Sequence, residues 1–145
     1  MDPFQNSVML ALLPTTSEWC QIDLPHMTLV YVGEIPDLKP TLHNELAKAT
    51  LSLAMTCHPV TVSVLGRDVF GDNDQDQVEV LVLDPSPELI AMYNIVRLWD
   101  GGTHSFNPHV TVGPKGTVVK DIPSTITFDR AMVSWGDEQL VYKML

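Results

Sequence analysis

The segments Leu24-Pro25-His26-Met27-Thr28-Leu29-Val30 and Asn107-Pro108-His109-Val110-Thr111-Val112-Gly113 share one pattern, Pro-His-x-Thr followed by an apolar residue. Both enter runs of β-branched and apolar residues, the composition of a strand. In a strand the side chains alternate faces, so a His and the Thr two residues on project to the same side and set an imidazole beside a hydroxyl. Two such strands can enclose one anion. One imidazole can then take a proton from water or a ribose hydroxyl while the other protonates the departing oxygen, in either assignment. Thr28 and Thr111 can hold non-bridging phosphate oxygens and keep the phosphorus in line. His26 and His109 are therefore the candidate catalytic pair and Thr28 and Thr111 the candidate phosphate-binding pair, in a chemistry that needs no metal and no cofactor.

Working outward from the first motif, Ser7 to Leu13 is a short apolar run stopped by Pro14, and His26 to Val32 is a strand ended by Gly33. From Pro40 to about Met55 the apolar positions Leu42, Leu46, Ala49 and Leu53 recur at helical spacing, with Pro40 tolerated in the first turn. Val60 to Leu65 and Val78 to Leu83 flank the acidic loop Gly71 to Gln77 and read as a hairpin. Ser86-Pro87-Glu88 announces a second helix carrying Leu89, Tyr93 and Val96 on one face and ending at Asp100-Gly101-Gly102. Around the second motif the pattern predicts a strand at His109 to Val112, a turn at Gly113-Pro114-Lys115-Gly116, and strands near Ile126 to Trp135 and Gln139 to Leu145. Two helices among about seven strands make an α+β chain, each half contributing one helix and several strands.

The 145 residues and 45% hydrophobic content suit one domain spanning 1–145 with its own core. With 18 acidic against 8 basic residues the formal charge is −10, a field that repels duplex DNA and anionic membrane surfaces but leaves room for a small phosphate ligand in a local pocket. Cys20 and Cys57 form no C-x-x-C pair, and Met1-Asp2-Pro3-Phe4 lacks the basic-then-apolar opening of a leader, so a reduced, cytoplasmic protein is expected. No apolar run approaches the roughly 20 residues of a membrane-spanning helix. No feature sets an oligomeric state.

The paired motifs resemble those of the 2H phosphoesterases, whose signature is two His-x-Ser/Thr motifs in the two halves of the chain, and the resemblance covers nearly the whole sequence. It implies a bilobal, pseudo-duplicated fold, two antiparallel sheets flanked by helices around a central cleft. It implies phosphodiester chemistry on a small nucleotide or RNA end: hydrolysis of 2′,3′-cyclic phosphates, cleavage or joining of 2′-5′ linkages, RNA-end trimming, or cleavage of cyclic oligonucleotide signals. Phe70-Gly71 with its acidic loop, Phe106-Asn107-Pro108-His109 and Ser134-Trp135-Gly136-Asp137 are similar to phage and actinobacterial members in particular.

Two further residues are candidates for binding substrate. Lys115, one tight turn after the second motif, can add positive charge, and Trp135 can stack on a base. Counting from His26 puts Tyr31 on the opposite face, in a lobe core, with only His26, Thr28 and Val30 facing substrate. Asp72, Asp74 and Asp76 do not make a calcium loop, since Gln77 stands where glycine is needed and Leu83 where glutamate is. His43 and His58 lack partners at metal-site spacing and read as solvated or capping, and His104 as a loop histidine. No Gly-rich phosphate loop or nucleophile elbow is present. The competing expectations are a nucleotide- or RNA-binding module without chemistry and a structural protein of phage assembly; the two complete His-x-Thr pairs favour catalysis, because binding alone does not require two proton-transfer groups.

Overall fold

The computed structural model describes residues 6–20, 22–102 and 105–145. Met1 to Phe4 and His104 lie outside the described residues. The strands are β1 (Ser7–Pro14), β2 (Met27–Glu34), β3 (Val60–Phe70), β4 (Val78–Leu83), β5 (His109–Pro114), β6 (Thr125–Trp135) and β7 (Glu138–Lys143), with helices α1 (Leu42–Thr56) and α2 (Pro87–Val96). Ser86 caps α2 as its sequence predicts, its hydroxyl accepting from the Leu89 N–H at 3.3 Å with Pro87 in the first turn. Among the described residues no helix is long and apolar enough to cross a membrane.

Two elements outrun their sequence signals. β3 continues to Phe70 past the polar Gly66-Arg67-Asp68, because β4 pairs with it along that whole length. β5 runs through Gly113 to Pro114 instead of stopping, and a register shift opposite Glu79/Val80 absorbs the break.

The strands fall into two groups, β7-β6-β1-β2 and β3-β4-β5, hydrogen-bonded into one antiparallel seven-stranded sheet of order β1-β2-β5-β4-β3-β6-β7 with an additional β1–β6 pairing. The groups are joined at β3–β6 by four register pairs, from Val60↔Phe128 to Ser63↔Thr125, and at β2–β5 by the single pair Met27↔Val110.

Each strand gives one face to the main core. Val8, Leu10 and Leu12 of β1, Met27 and Val30 of β2, Leu81 and Leu83 of β4, and Val110 and Val112 of β5 pack with Leu46 and Leu53 of α1 and Leu89 and Val96 of α2. Thr50 is buried on α1 and satisfied by donating to the Leu46 carbonyl at 2.8 Å. The odd residues of β1, Met9, Ala11 and Leu13, face the other way with Met132 and Leu24 in a smaller cluster.

Beyond Met27 the edge of β2 that leaves β5 is met by the segment after α2: the Gly101 N–H donates to the Tyr31 carbonyl at 2.8 Å. Only glycine fits, since a Cβ at Gly101 would lie 2.2 Å from the Val32 carbonyl oxygen. Gly101→Ala should therefore lower stability by about 1 to 3 kcal/mol, the range for forcing atoms into filled space, read as a lower urea midpoint at unchanged slope.

Candidate active site

The single β2–β5 pair decides how the two motifs meet. Met27 and Val110 are opposite each other and wholly buried in the core. Carrying that antiparallel register one residue each way sets His26 across from Thr111 and Thr28 across from His109, all four on the face opposite the core. His26 and His109 are then diagonal neighbours, about 7–8 Å apart at the backbone, a span that fits a phosphate between two imidazoles.

Both rings are held in the same way. His26 Nδ1 lies 3.0 Å from the Leu24 carbonyl and His109 Nδ1 lies 2.8 Å from the Asn107 carbonyl, each acceptor two residues upstream across a proline. A carbonyl can only accept, so Nδ1 carries the proton in both rings and Nε2 is the nitrogen of each neutral imidazole that accepts. Leu24 reaches its position with φ of 53°, a left-handed conformation costly for a branched side chain. Phe70 meets the His109 ring edge-on, with centroids 4.7 Å apart.

Enclosure changes the electrostatics of His26. Burial, the largest cause, pushes the His26 imidazole below its ordinary 6.5; the bond to Leu24 opposes this, and positive charge on His109 lowers it again. His26 is therefore neutral at pH 7. The Thr28 hydroxyl has a weak acceptor in the Met9 sulfur, at 3.5 Å, which a phosphate oxygen would outcompete. Thr111 is half-buried, and its carbonyl accepts from the Cys20 thiol at 3.7 Å.

A cleft of ≈ 980 Å³ opens beside the pair, with Thr28, Tyr31, Phe70, Tyr93, Phe106 and His109 in its walls. Tyr93 and Phe106 stack with centroids 4.5 Å apart and planes 7° from parallel. The Tyr93 hydroxyl donates to Asp100 Oδ2 at 3.2 Å and the Gly102 N–H to Oδ1 at 2.9 Å. A smaller cavity of ≈ 480 Å³, lined by Cys57, His58, Glu88 and Ile95 among others, includes no motif residue. Among the described residues no group of three or more His, Cys, Asp or Glu side chains could hold a metal ion.

Tyr31 corrects the strand count made from His26. The β1–β2 register shifts between Leu10↔Val30 and Ala11↔Thr28, so Leu29 is an extra residue. That bulge reverses the alternation beyond it: Val30 turns to the core, and Tyr31 turns to the cleft with 40% of its surface exposed.

Lys115 and Trp135 are not brought to the pair. Lys115 is exposed in the turn after β5, six residues and about 20 Å of strand from His109. Trp135 pairs with Val8, whose face is the core's, and its ring meets His43 of α1 at 5.2 Å. His43 Nε2 is 3.2 Å from Glu138 Oε1, a surface contact. The wall residues Tyr31, Tyr93 and Asp100 were not legible as site residues: Tyr93 has the spacing of a core position, and no spacing signals a bulge.

A family model described as the 2′-5′ RNA ligase superfamily matches residues 22–126, which include both motifs. No curated protein matches the sequence significantly. Among solved structures, the fold is similar to Kluyveromyces marxianus Usb1, with TM-score 0.67, 12% identity, and coverage of 97% of this chain and 99% of that one. The Thermus thermophilus protein TT0787 gives TM-score 0.66 at 12% identity, over 94% and 95% of the two chains. E. coli LigT complexed with 3′-AMP gives 0.53 at 16%, over 97% and 95%.

The depressed pKa of His26 has a testable sign. Well above 6.5 the ring is neutral in both folded and unfolded chains and adds no pH dependence; as pH falls through 6.5 the unfolded chain takes up the proton first, so folding weakens until the folded-state pKa is passed. From pH 7 to pH 5 wild type should lose more stability than His26→Ala, the difference between their urea midpoints isolating this group.

Proposed function

The chain belongs to the 2′-5′ RNA ligase superfamily, and from that premise we propose that it is a metal-independent phosphodiesterase that hydrolyses nucleotide or RNA-derived phosphodiesters, with His26 and His109 as its acid–base pair. The observation that carries this is the Met27↔Val110 pair, whose register gathers both His-x-Thr motifs on one face. E. coli LigT has been solved with 3′-AMP and K. marxianus Usb1 with uridine monophosphate, which supports a small nucleotide or RNA end as ligand. Substrates with a 2′ oxygen beside the phosphorus are the proposed class: 2′,3′-cyclic phosphates, 2′-5′ linkages and cyclic oligonucleotide signals.

In the proposed hydrolysis the phosphate lies between the two Nε2 atoms. His26, kept neutral by burial, takes the proton of the attacking oxygen on its Nε2, while His109 enters the step as the imidazolium, protonated on both ring nitrogens, and gives its Nε2 proton to the oxygen that leaves. Thr28 and Thr111 donate to the non-bridging oxygens, where negative charge grows in the transition state. The Nδ1–H bonds to Leu24 and Asn107 leave Nε2 as the exchanging nitrogen of both rings. The reverse, joining reaction exchanges the two roles.

The test is turnover of a panel of 2′,3′-cyclic nucleotides, 2′-5′ dinucleotides and cyclic di- and trinucleotides in EDTA. His26→Ala and His109→Ala should each lower kcat by about 10²- to 10⁴-fold with the fold retained, and Thr28→Val by about ten- to a hundredfold. With His26 as base, the acidic limb of the wild-type kcat/KM profile should lie below pH 6.5. Nucleotide binding without turnover, unchanged by either histidine substitution, would replace the enzyme with a binding module.

A further inference from the structure

The cleft beside the histidines has a composition unusual for a phosphate ligand's surroundings. Its walls are aromatic, with Tyr31 and Phe70 alongside the Tyr93–Phe106 stack. Beside His109 its titratable acids are the carboxylates of Asp72 and Asp100, and among the described residues neither lysine nor arginine lines it. An aromatic wall suits the face of any base, so it binds without choosing. A carboxylate does choose: when ionised it only accepts hydrogen bonds, so it favours a donor and repels a carbonyl oxygen.

Asp100 is set firmly enough to read a base. One oxygen takes the Tyr93 hydroxyl and the other the Gly102 N–H, which fixes the carboxylate plane while each oxygen keeps lone-pair capacity. The neighbouring Gly101 N–H ties the same segment to the Tyr31 carbonyl of β2, the strand that carries Thr28. The carboxylate is thus referenced to the phosphate-binding strand through one hydrogen bond.

We propose that this cleft is a nucleoside subsite in which Asp100 selects a base bearing an exocyclic amino group. The inference rests on the nucleotide chemistry proposed above and specifies its substrate. Cytosine and uracil are the discriminating pair, since they have the same size and differ at one edge by an amino donor against a carbonyl acceptor. Adenine and hypoxanthine differ in the same way.

The experiment compares kcat/KM for cytosine and uracil forms of whichever ester the panel selects, in wild type, Asp100→Asn and Phe106→Leu. Wild type should prefer cytosine by about tenfold or more, as expected for one hydrogen bond to a charged group. Asp100→Asn should bring the ratio near one, because a carboxamide can present either its amino group or its oxygen. Phe106→Leu should raise KM for both bases and leave the ratio unchanged, which a merely structural role for Asp100 would not predict. In parallel, calorimetry of CMP and UMP on His26→Ala should show the same preference without chemistry. Equal use of the two bases by an active wild type, or a preference retained in Asp100→Asn, overturns the subsite. If wild type turns over neither ester, the phosphodiesterase reading fails, and the CMP and UMP titrations alone decide the subsite: a cytosine preference supports it and equal binding refutes it.

Discussion

The pairing of β2 with β5 at Met27 and Val110 is the constraint on which the rest depends. Both residues are apolar and wholly buried, so the register is held by the core rather than by the polar residues beside it. A slip of one residue would send the histidines into the core and the apolar side chains into the cleft. The hydrophobic effect thus fixes the geometry of a polar site. The pairing is also brief. Because the strands separate after one register pair, the segment after α2 can reach the edge of β2, and the space between becomes a cleft.

Within that frame each imidazole is oriented by its own chain. The acceptor for Nδ1 is the carbonyl two residues upstream in both motifs, so each ring is oriented by a local bond. The equivalence stops at the environment. His26 is enclosed, and burial keeps it neutral, whereas His109 stands at the cleft wall against Phe70. Two copies of one motif thus come to lie in different surroundings, and burial lowers the proton affinity of His26.

How much is legible in the sequence depends on the range of the interaction involved. The paired motifs, the Ser86 cap, α1 and β4 are all readable because their signals are local periodicities and capping residues. Tyr31 is misplaced by strict alternation carried through Leu29, where the β1 partner forces a bulge. Trp135 reads as a stacking residue from its type, yet the strand opposite it, not its own neighbours, turns it toward α1. Lys115 lies close to the motif in sequence but far along an extended strand, where six residues span about 20 Å.

The sequence by itself determined that this chain carries two equivalent His-x-Thr strands in an α+β framework, and hence which side chains are the candidates for exchanging a proton across an anion. It did so because that information lies in spacings of two to four residues. The tertiary structure alone decided that the motifs share one face, that His26 is the enclosed one, and that Tyr31, Tyr93, Phe106 and Asp100 stand beside them. Those facts arise from strand register, a bulge and loop packing, in which residues from distant parts of the chain are brought together by burying a common core.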